Sequence, residues 1–595
     1  MSATPDPEPA VATSHWRRVA RLPAPLLLAV IAAPFATPAA AQPMLGDIGN
    51  APATGISTIG AGARQQIEQL LAPPNATPGA AGANTGPAWK FTPSIEIDQE
   101  WTNNAGMGIG VASYSQNNPA FISVVTPSLL VSGESPRISG TLMYAPTINV
   151  IEGSSMGNQT EVFQNLNGQA QITLIPETAF VSVSAFGSQQ SLYGNTGPTG
   201  SSVMNNQNSL QTYSFSVSPY LTRSFGDIGT AEIGATMGET IQNTYTPVVA
   251  SPYGAANDNV TNFGEHIGFT TGSVLGRSLL SFLVSGNQYQ GPFALVGAYD
   301  NAATIDGSYG ITRTIALLGR IGYESMHYAG VQPYATTGEP PYNFDGPIWH
   351  VGVHWQPSPE STATITFGSK EGHAVVEGNA NLALGARTIL FASASGGVSS
   401  AAQDLQGALQ NAELDPFGNA VDRTTGAPLQ LTNNAIPPIG LGVIFYETMQ
   451  SAGIATNFER DTISLNLSHV VTQGLGGFTG QVGGFANAQN SESFSGGLNW
   501  SHQISETLSL STFGQVGRTI SQFGTGGGLA TTALANQTTS FATIGFNINK
   551  TLSETLSAFF RASYTDNIES GATYGQAYLP PLSMALVLVG VRKSF

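Results

Sequence analysis

The sequence predicts an all-β protein, a transmembrane antiparallel β-barrel of about 22 strands (range about 22–24) with short periplasmic turns and long outer loops. Three observations lead there. Only 9% of the 595 residues are charged, against roughly 25% in soluble globular proteins, yet no internal run of ~18 apolar residues could form a spanning helix. From Trp89 onward, segments of ~10–16 residues alternate apolar and polar side chains, the pattern that a lipid face set against a wet lumen imposes. The connections between these segments alternate between tight and long, which a soluble sandwich has no reason to do.

Residues 1–41 read as a secretory signal. Arg17, Arg18 and Arg21 precede an apolar core from Leu22 to Phe35, and Ala39-Ala40-Ala41 supplies small residues for cleavage before Gln42. The residues flanking Arg17-Arg18 do not fit a twin-arginine signal, and a barrel must cross the inner membrane unfolded. Residues 42–86, rich in Ala, Gly and Pro, read as a flexible periplasmic leader. One short helix is expected in it, Ser57 to Leu71, with Ile59, Ile67, Leu70 and Leu71 at helical spacing and Pro73-Pro74 as its stop. A docking segment for a periplasmic partner is the alternative.

Residues 87–595 form the expected barrel. Tyr213, Phe215, Val217, Pro219 and Leu221 fall on one face, and Ser214, Ser216, Ser218 and Tyr220 on the other. Ile463, Leu465 and Leu467 alternate with Ser464, Asn466 and Ser468; Leu556, Ala558 and Phe560 alternate with Ser557, Phe559 and Arg561. Tight connections are expected at 133–137, 175–178, 225–229, 356–360, 502–507 and 549–554. Long ones are expected at about 103–119, 188–208, 246–259, 290–302, 330–346, 520–535 and 567–581. Both termini should share the periplasmic side, so the strand number is even, and about 22 follows if 476–488 belongs to an outer loop. Residues 399–439 interrupt the pattern. Ala401 to Leu414 has helical periodicity, and a Pro, Gly and Asn rich run follows. The insertion is either a constriction folded into the lumen or an outer loop with a short surface helix. Trp101, Trp349, Trp355 and Trp500 are candidate interface anchors near strand ends.

The chain stops on Met584-Ala-Leu-Val-Leu-Val-Gly-Val-Arg-Lys-Ser-Phe595. Val587, Val589, Val591 and Phe595 share one face. This ending resembles the closing strand of bacterial outer-membrane barrels, which implies recognition by the barrel-assembly machinery.

With 36 acidic against 19 basic residues and a net charge of −17, no basic stripe is present for nucleic acid. The absence of cysteine removes disulfides, thiolate metal sites, thiol catalysis and a lipoprotein anchor. No catalytic set, cofactor site or metal site is expected. Ser468-His469 and Ser501-His502 are chance neighbours, since adjacent strand residues point to opposite faces and His502 falls in an expected turn. Asn257-Asp258-Asn259 could bind calcium, but solvated turn residues are the plainer reading. Arg561 is the candidate lumen charge, because the alternation puts it on the polar face; Arg460 falls near a strand start.

The stretches Trp89 to Asn104, Ile122 to Leu130, Trp355 to Thr362, and Val443 to Met449 leading to Phe458 to Leu465 resemble outer-membrane barrels found with PEP-CTERM/exosortase polysaccharide systems. The resemblance implies a porin-like barrel tied to surface polysaccharide. It supplies no catalytic residues. The expected function is passive passage or export of solutes across the outer membrane of a Gram-negative bacterium. Outer-membrane lipid, the assembly machinery, and a polysaccharide or periplasmic export partner are the expected partners. The alternatives are an adhesive or structural barrel whose outer loops bind a partner, a class that the Gly- and Asn-rich composition also suits, and an enzyme acting on lipid.

Overall fold

The computed structural model describes residues 89–104, 119–153, 159–191, 209–244, 257–329, 341–400, 402–404, 412–414, 420–422, 444–476, 488–523, 535–570 and 582–595. The signal and leader expected over 1–86 lie outside the described residues. So do most of the insertion and the long connections.

The chain forms one antiparallel sheet that closes on itself. Its strands are β1 (Trp89–Thr102), β2 (Ala120–Glu134), β3 (Ile138–Tyr144 with Thr147–Glu152), β4 (Gln159–Phe163 with Leu166–Ile175), β5 (Ala179–Ser191), β6 (Ser209–Ser224), β7 (Gly229–Thr244) and β8 (Asn257–Thr271). There follow β9 (Ser278–Gln290), β10 (Ala298–Gly310), β11 (Ile315–Tyr328), β12 (Tyr342–Ser358), β13 (Ser361–Lys370), β14 (His373–Ala383) and β15 (Thr388–Ser400). The last seven are β16 (Ile444–Asn457), β17 (Asp461–Gly476), β18 (Ala488–Ser505), β19 (Leu508–Phe523), β20 (Ala535–Ser553), β21 (Leu556–Ser570) and β22 (Leu582–Ser594). The sheet has 24 segments, and because β3 and β4 are each interrupted once, these make 22 wall strands. The stretch 477–487 falls between β17 and β18, as an even count requires.

Closure joins the first strand to the last. β1 pairs with β22 from Ser94↔Ser594 to Thr102↔Leu586. Phe595 N donates to Pro93 O at 2.9 Å, and Ala585 N donates to Asn103 Oδ1 at 2.7 Å. No backbone edge is therefore left open at the seam of the cylinder.

Alternation sets the two faces. Outward side chains form a continuous apolar belt that includes Phe121, Met237, Ile267, Ile321, Ile365 and Ile544, all exposed. Phe215, Val217 and Leu221 point outward as expected, and so do Val587, Val589, Val591 and Phe595. The opposite face of β22, Met584, Leu586 and Leu588, is buried. No helix of the described residues is long and apolar enough to cross a membrane; the belt of strands is the spanning surface.

The ends differ as expected. The start of β1, the end of β22 and the tight turns define a terminal rim, and the strand ends that the long connections join define a loop rim. Several expectations need correction. The connection over 290–302 is shorter: β9 runs to Gln290 and β10 resumes at Ala298. Between them a 3-10 turn, Phe293–Leu295, buries Ala294 and Leu295 completely, so apolar burial pulls this segment into the interior. β5 continues to Ser191 and β8 begins at Asn257, which puts Asn257-Asp258-Asn259 in a strand paired to Asn243, Gln242 and Ile241. His502 lies within β18, not in the turn. Trp349 is mid-strand, its ring edge-on to Phe367 at 6.0 Å. Ala401 to Leu414 is not one helix: residues 402–404 are helical, while Ala412–Leu414 pairs with Ala420–Asp422 in a two-stranded ribbon. One loop-rim connection is tight. Glu371-Gly372 joins β13 to β14 with φ of 54° and 75°, the geometry of a two-residue type I′ hairpin.

Candidate functional site

The inner wall carries the chemistry. On β1, Glu96, Asp98 and Glu100 alternate inward and are buried. Arg592 of β22 donates from Nε to Glu96 Oε2 at 2.7 Å, and its Nη2 stands 2.5 Å from the same oxygen. Arg561 of β21 also points inward, with its Nη2 3.8 Å from Glu96 Oε1 and its guanidinium 4.5 Å from the centroid of Phe559. Arg561 is thus tied to a carboxylate and an aromatic face on the inner wall instead of standing free for an anion. Three acids face two arginines here.

A second charged patch spans β10 to β14. Asp306 holds Arg320 at 2.5 Å, and His350 Nδ1 lies 3.4 Å from Glu377 Oε2. Lys370 Nζ lies 3.1 Å from Glu371 Oε1, while Glu371 N donates to Glu324 Oε2 at 3.2 Å. Asp300 is buried on the same inner face. Five carboxylates meet one arginine, one lysine and one histidine. On the neighbouring inner wall, Glu232 pairs with His266 at 3.0 Å. Acids exceed bases in both patches, and low-dielectric walls focus such a field along the lumen.

Near the loop rim the wall is not a simple cylinder. β14 pairs with β15 only from Gly378↔Ala394 to Ala383↔Ile389, whereas β15 pairs with β16 along its whole length, up to Ser400↔Ile444. Above Gly378 the ladder between β14 and β15 is missing. The Glu371 carboxylate replaces part of it by accepting the Val398 N–H. Tyr446 of β16 stacks on His373 with centroids 4.1 Å apart, and its hydroxyl donates to Ala374 O at 3.4 Å. The same arrangement recurs between β4 and β5. Their pairing stops at Leu166↔Gly187, while β5 stays paired to β6 through Ser191↔Ser209. The Gln211 amide of β6 bridges the gap: Gln164 N donates to its Oε1 at 3.0 Å, and its Nε2 donates to Gln164 O at 2.8 Å.

Burial reveals what these partings do. A wall residue has one face toward lipid and one toward the lumen, so consecutive residues should alternate in exposure. Instead Val398, Ser399 and Ser400 are all buried, Ile444 and Phe445 are each 1% exposed, and Gln211 and Thr212 are 3% and 0% exposed. These strand ends are covered on both faces and tuck inside the wall. Val398, Ile444 and Tyr446 share an apolar core with Met326, Tyr328, Tyr342 and Phe344 from the inner faces of β11 and β12. The start of the insertion joins it. Ala402 is buried, Tyr328 Oη donates to Gln403 Oε1 at 3.2 Å, and Ser399 Oγ donates to Asp404 Oδ1 at 2.5 Å. Residues 402–404 therefore face the interior. Burial pushes the Asp404 carboxyl up to about 7, against the opposing hydrogen bond from Ser399.

The remaining candidates separate. Ser468 bonds Ser495 at 2.6 Å on the inner face, while His469 pairs with Glu492 at 3.0 Å on the outer face. His502 Nδ1 and Trp500 Nε1 both contact Asp461 Oδ1, at 2.8 and 2.9 Å. Arg460 is exposed in the turn before β17. Among the described residues no cluster of His, Asp and Glu has a metal-holding arrangement.

No family model and no curated relative matches the chain. Among solved structures the chain is similar to the FrpB iron transporter from Neisseria meningitidis (F5-1 variant), at 12% identity and TM-score 0.46, with 89% of this chain and 84% of that one covered. It is also similar to the siderophore receptor PirA from Acinetobacter baumannii, at 10% identity and TM-score 0.44, with coverages of 85% and 80%. PirA from Pseudomonas aeruginosa aligns at 12% identity and TM-score 0.36, with coverages of 85% and 80%. At that identity and TM-score the likeness speaks to no function.

Proposed function

We propose that the chain is an outer-membrane barrel that passes cationic or neutral solutes, with its loop end controlled by the tucked strand ends. The observation that carries this reading is the surplus of inward carboxylates together with the buried strand ends Val398–Ser400, Ile444–Phe445 and Gln211–Thr212 at the loop rim. Passage of an anion would oppose the field of both charged patches. The resemblance to barrels of polysaccharide systems makes a surface saccharide the leading solute class. The acid surplus then favours neutral or amine-bearing sugars over uronates.

Liposome swelling with the full mature protein tests the proposal. Neutral and amino sugars of one size class should enter faster than the matching uronate, and deleting 401–436 should raise all three rates. Faster uronate entry, or rates equal to protein-free vesicles from verified folded protein, would count against it.

A further inference from the structure

Basic residues are scarce in this chain, and they are not scattered. Of the 19, fifteen lie from Lys90 onward. Ten of these fifteen sit at the terminal rim. Arg223, Arg277, Arg313, Arg387 and Arg460 are in or beside the tight turns; Lys90, Arg137, Lys550, Arg592 and Lys593 flank them. In a chain of net charge −17, the bases of this rim outnumber the eight acids that lie in or beside the same tight turns, from Glu134 to Glu554.

The turns also share a local pattern. Each of the five arginines has a large exposed apolar side chain two or three residues away: Phe225 by Arg223, Leu275 by Arg277, Ile311 by Arg313, Leu384 by Arg387 and Phe458 by Arg460. All five arginines are exposed. Among the described residues none of them joins an ion pair, unlike Arg320, Arg561 and Arg592. Acidic residues stand on the same turns, Asp227 and Glu459 among them, but Asp227 accepts from Ser273 Oγ at 3.0 Å and does not reach Arg223 within ion-pair distance. Gly276, with φ of 65°, occupies the left-handed position that lets Leu275 and Arg277 lie on either side of one sharp turn.

An exposed apolar side chain beside an exposed guanidinium is well matched to a lipid boundary. The apolar group enters the acyl edge, and the guanidinium forks onto a phosphate. The five turns lie on connections from β6–β7 to β16–β17, one half of the wall, at the lower edge of the apolar belt. Lys90, Arg137, Lys550 and Lys593 place basic side chains around the other half. A one-sided protein partner would meet only part of this ring, whereas the bilayer leaflet surrounds the barrel.

We propose that the terminal rim is an interfacial collar that binds anionic phospholipid headgroups. Its apolar-plus-arginine turns act as repeated anchors that fix the depth of the barrel. This goes beyond solute passage and does not depend on it.

The test compares the full mature protein with a variant carrying Arg→Gln at 223, 277, 313, 387 and 460, each reconstituted in nanodiscs of phosphatidylcholine alone or with one-third phosphatidylglycerol. Native mass spectrometry reads retained lipid, and heat-induced gel shift reads barrel stability. The wild type should retain phosphatidylglycerol several-fold over phosphatidylcholine and unfold at a higher temperature in the mixed discs. The variant should lose both differences while matching the wild type in pure phosphatidylcholine. Equal retention of the two lipids by the wild type, or full preference in the variant, would overturn the collar. If the five-fold variant fails to fold, Arg277→Gln and Arg313→Gln singly should each lower the preference; an unchanged preference in both would also overturn it. An acidic periplasmic protein that binds equally with or without phosphatidylglycerol would reassign the surface to that partner.

Discussion

Replacing Glu371 by Ala should release the end of β15. In the native barrel the Glu371 carboxylate accepts the Val398 N–H where the β14 ladder is missing, and it also holds Lys370 at 3.1 Å. Alanine leaves a buried backbone donor unsatisfied, at a cost of about 1–3 kcal/mol. It also leaves Lys370 without its nearest carboxylate, but that lysine keeps 23% of its side-chain exposure, so the full penalty of a broken buried pair does not apply. A net cost of about 2–3 kcal/mol corresponds to roughly a 30–150-fold rise in the released population. Hydrogen exchange read by peptide mass spectrometry follows this directly. Residues 395–400 should lose protection by about that factor, under conditions where exchange reports opening free energy. Residues 389–394, paired on both sides, should keep theirs. Glu371→Gln retains an acceptor and should lose much less. Unchanged protection at 395–400 in a folded Ala variant would refute the idea that this carboxylate holds the tuck.

Three further outcomes follow from other parts of the wall. The Asp404 carboxyl, raised to about 7 by burial, binds its proton more tightly in the tucked state than when released. The tuck is therefore favoured in acid and loses that support as pH rises from the ordinary aspartate range through about 7; closed-state lifetimes in bilayers should shorten from pH 5 to pH 8, and Asp404→Asn should flatten the trend. Gly368→Ala would drive Cβ into the Trp349 carbonyl oxygen, forcing β12 and β13 apart at about 1–3 kcal/mol, which should appear as a lower gel-shift temperature. Val589→Lys would place a charge on the exposed outer face of β22. It should cut the refolded yield in lipid vesicles, costing about 2–4 kcal/mol if the site lies at mid-depth, whereas Lys593 is tolerated natively at the rim.

Much of the wall was legible because a strand's period of two is imposed by lipid on one side. The face containing Val587, Val589 and Val591, the inward direction of Arg561, and the tight turns at 175–178 and 225–229 all follow from that constraint. The tucked ends were harder to read. Alternation reports which face a residue occupies, not what covers that face. Their one local signal is its failure, in Val398-Ser-Ser and Ile444-Phe445, and such short runs read equally well as loop edges. The Glu371-Gly372 hairpin was hidden because Glu is an unusual residue at positive φ. The Arg592–Glu96 bond joins opposite ends of the chain, so only the closing register brings it into being. The collar arginines were visible singly, Arg460 among them; their common rim appears only when the turns are placed together.

The most direct test of an acid-lined, cation-favouring lumen is the reversal potential of the refolded mature protein in a planar bilayer under a salt gradient. The account predicts infrequent openings with a clear cation preference, reduced when Glu377 is replaced by Gln. A steadily open pore with anion preference would contradict it.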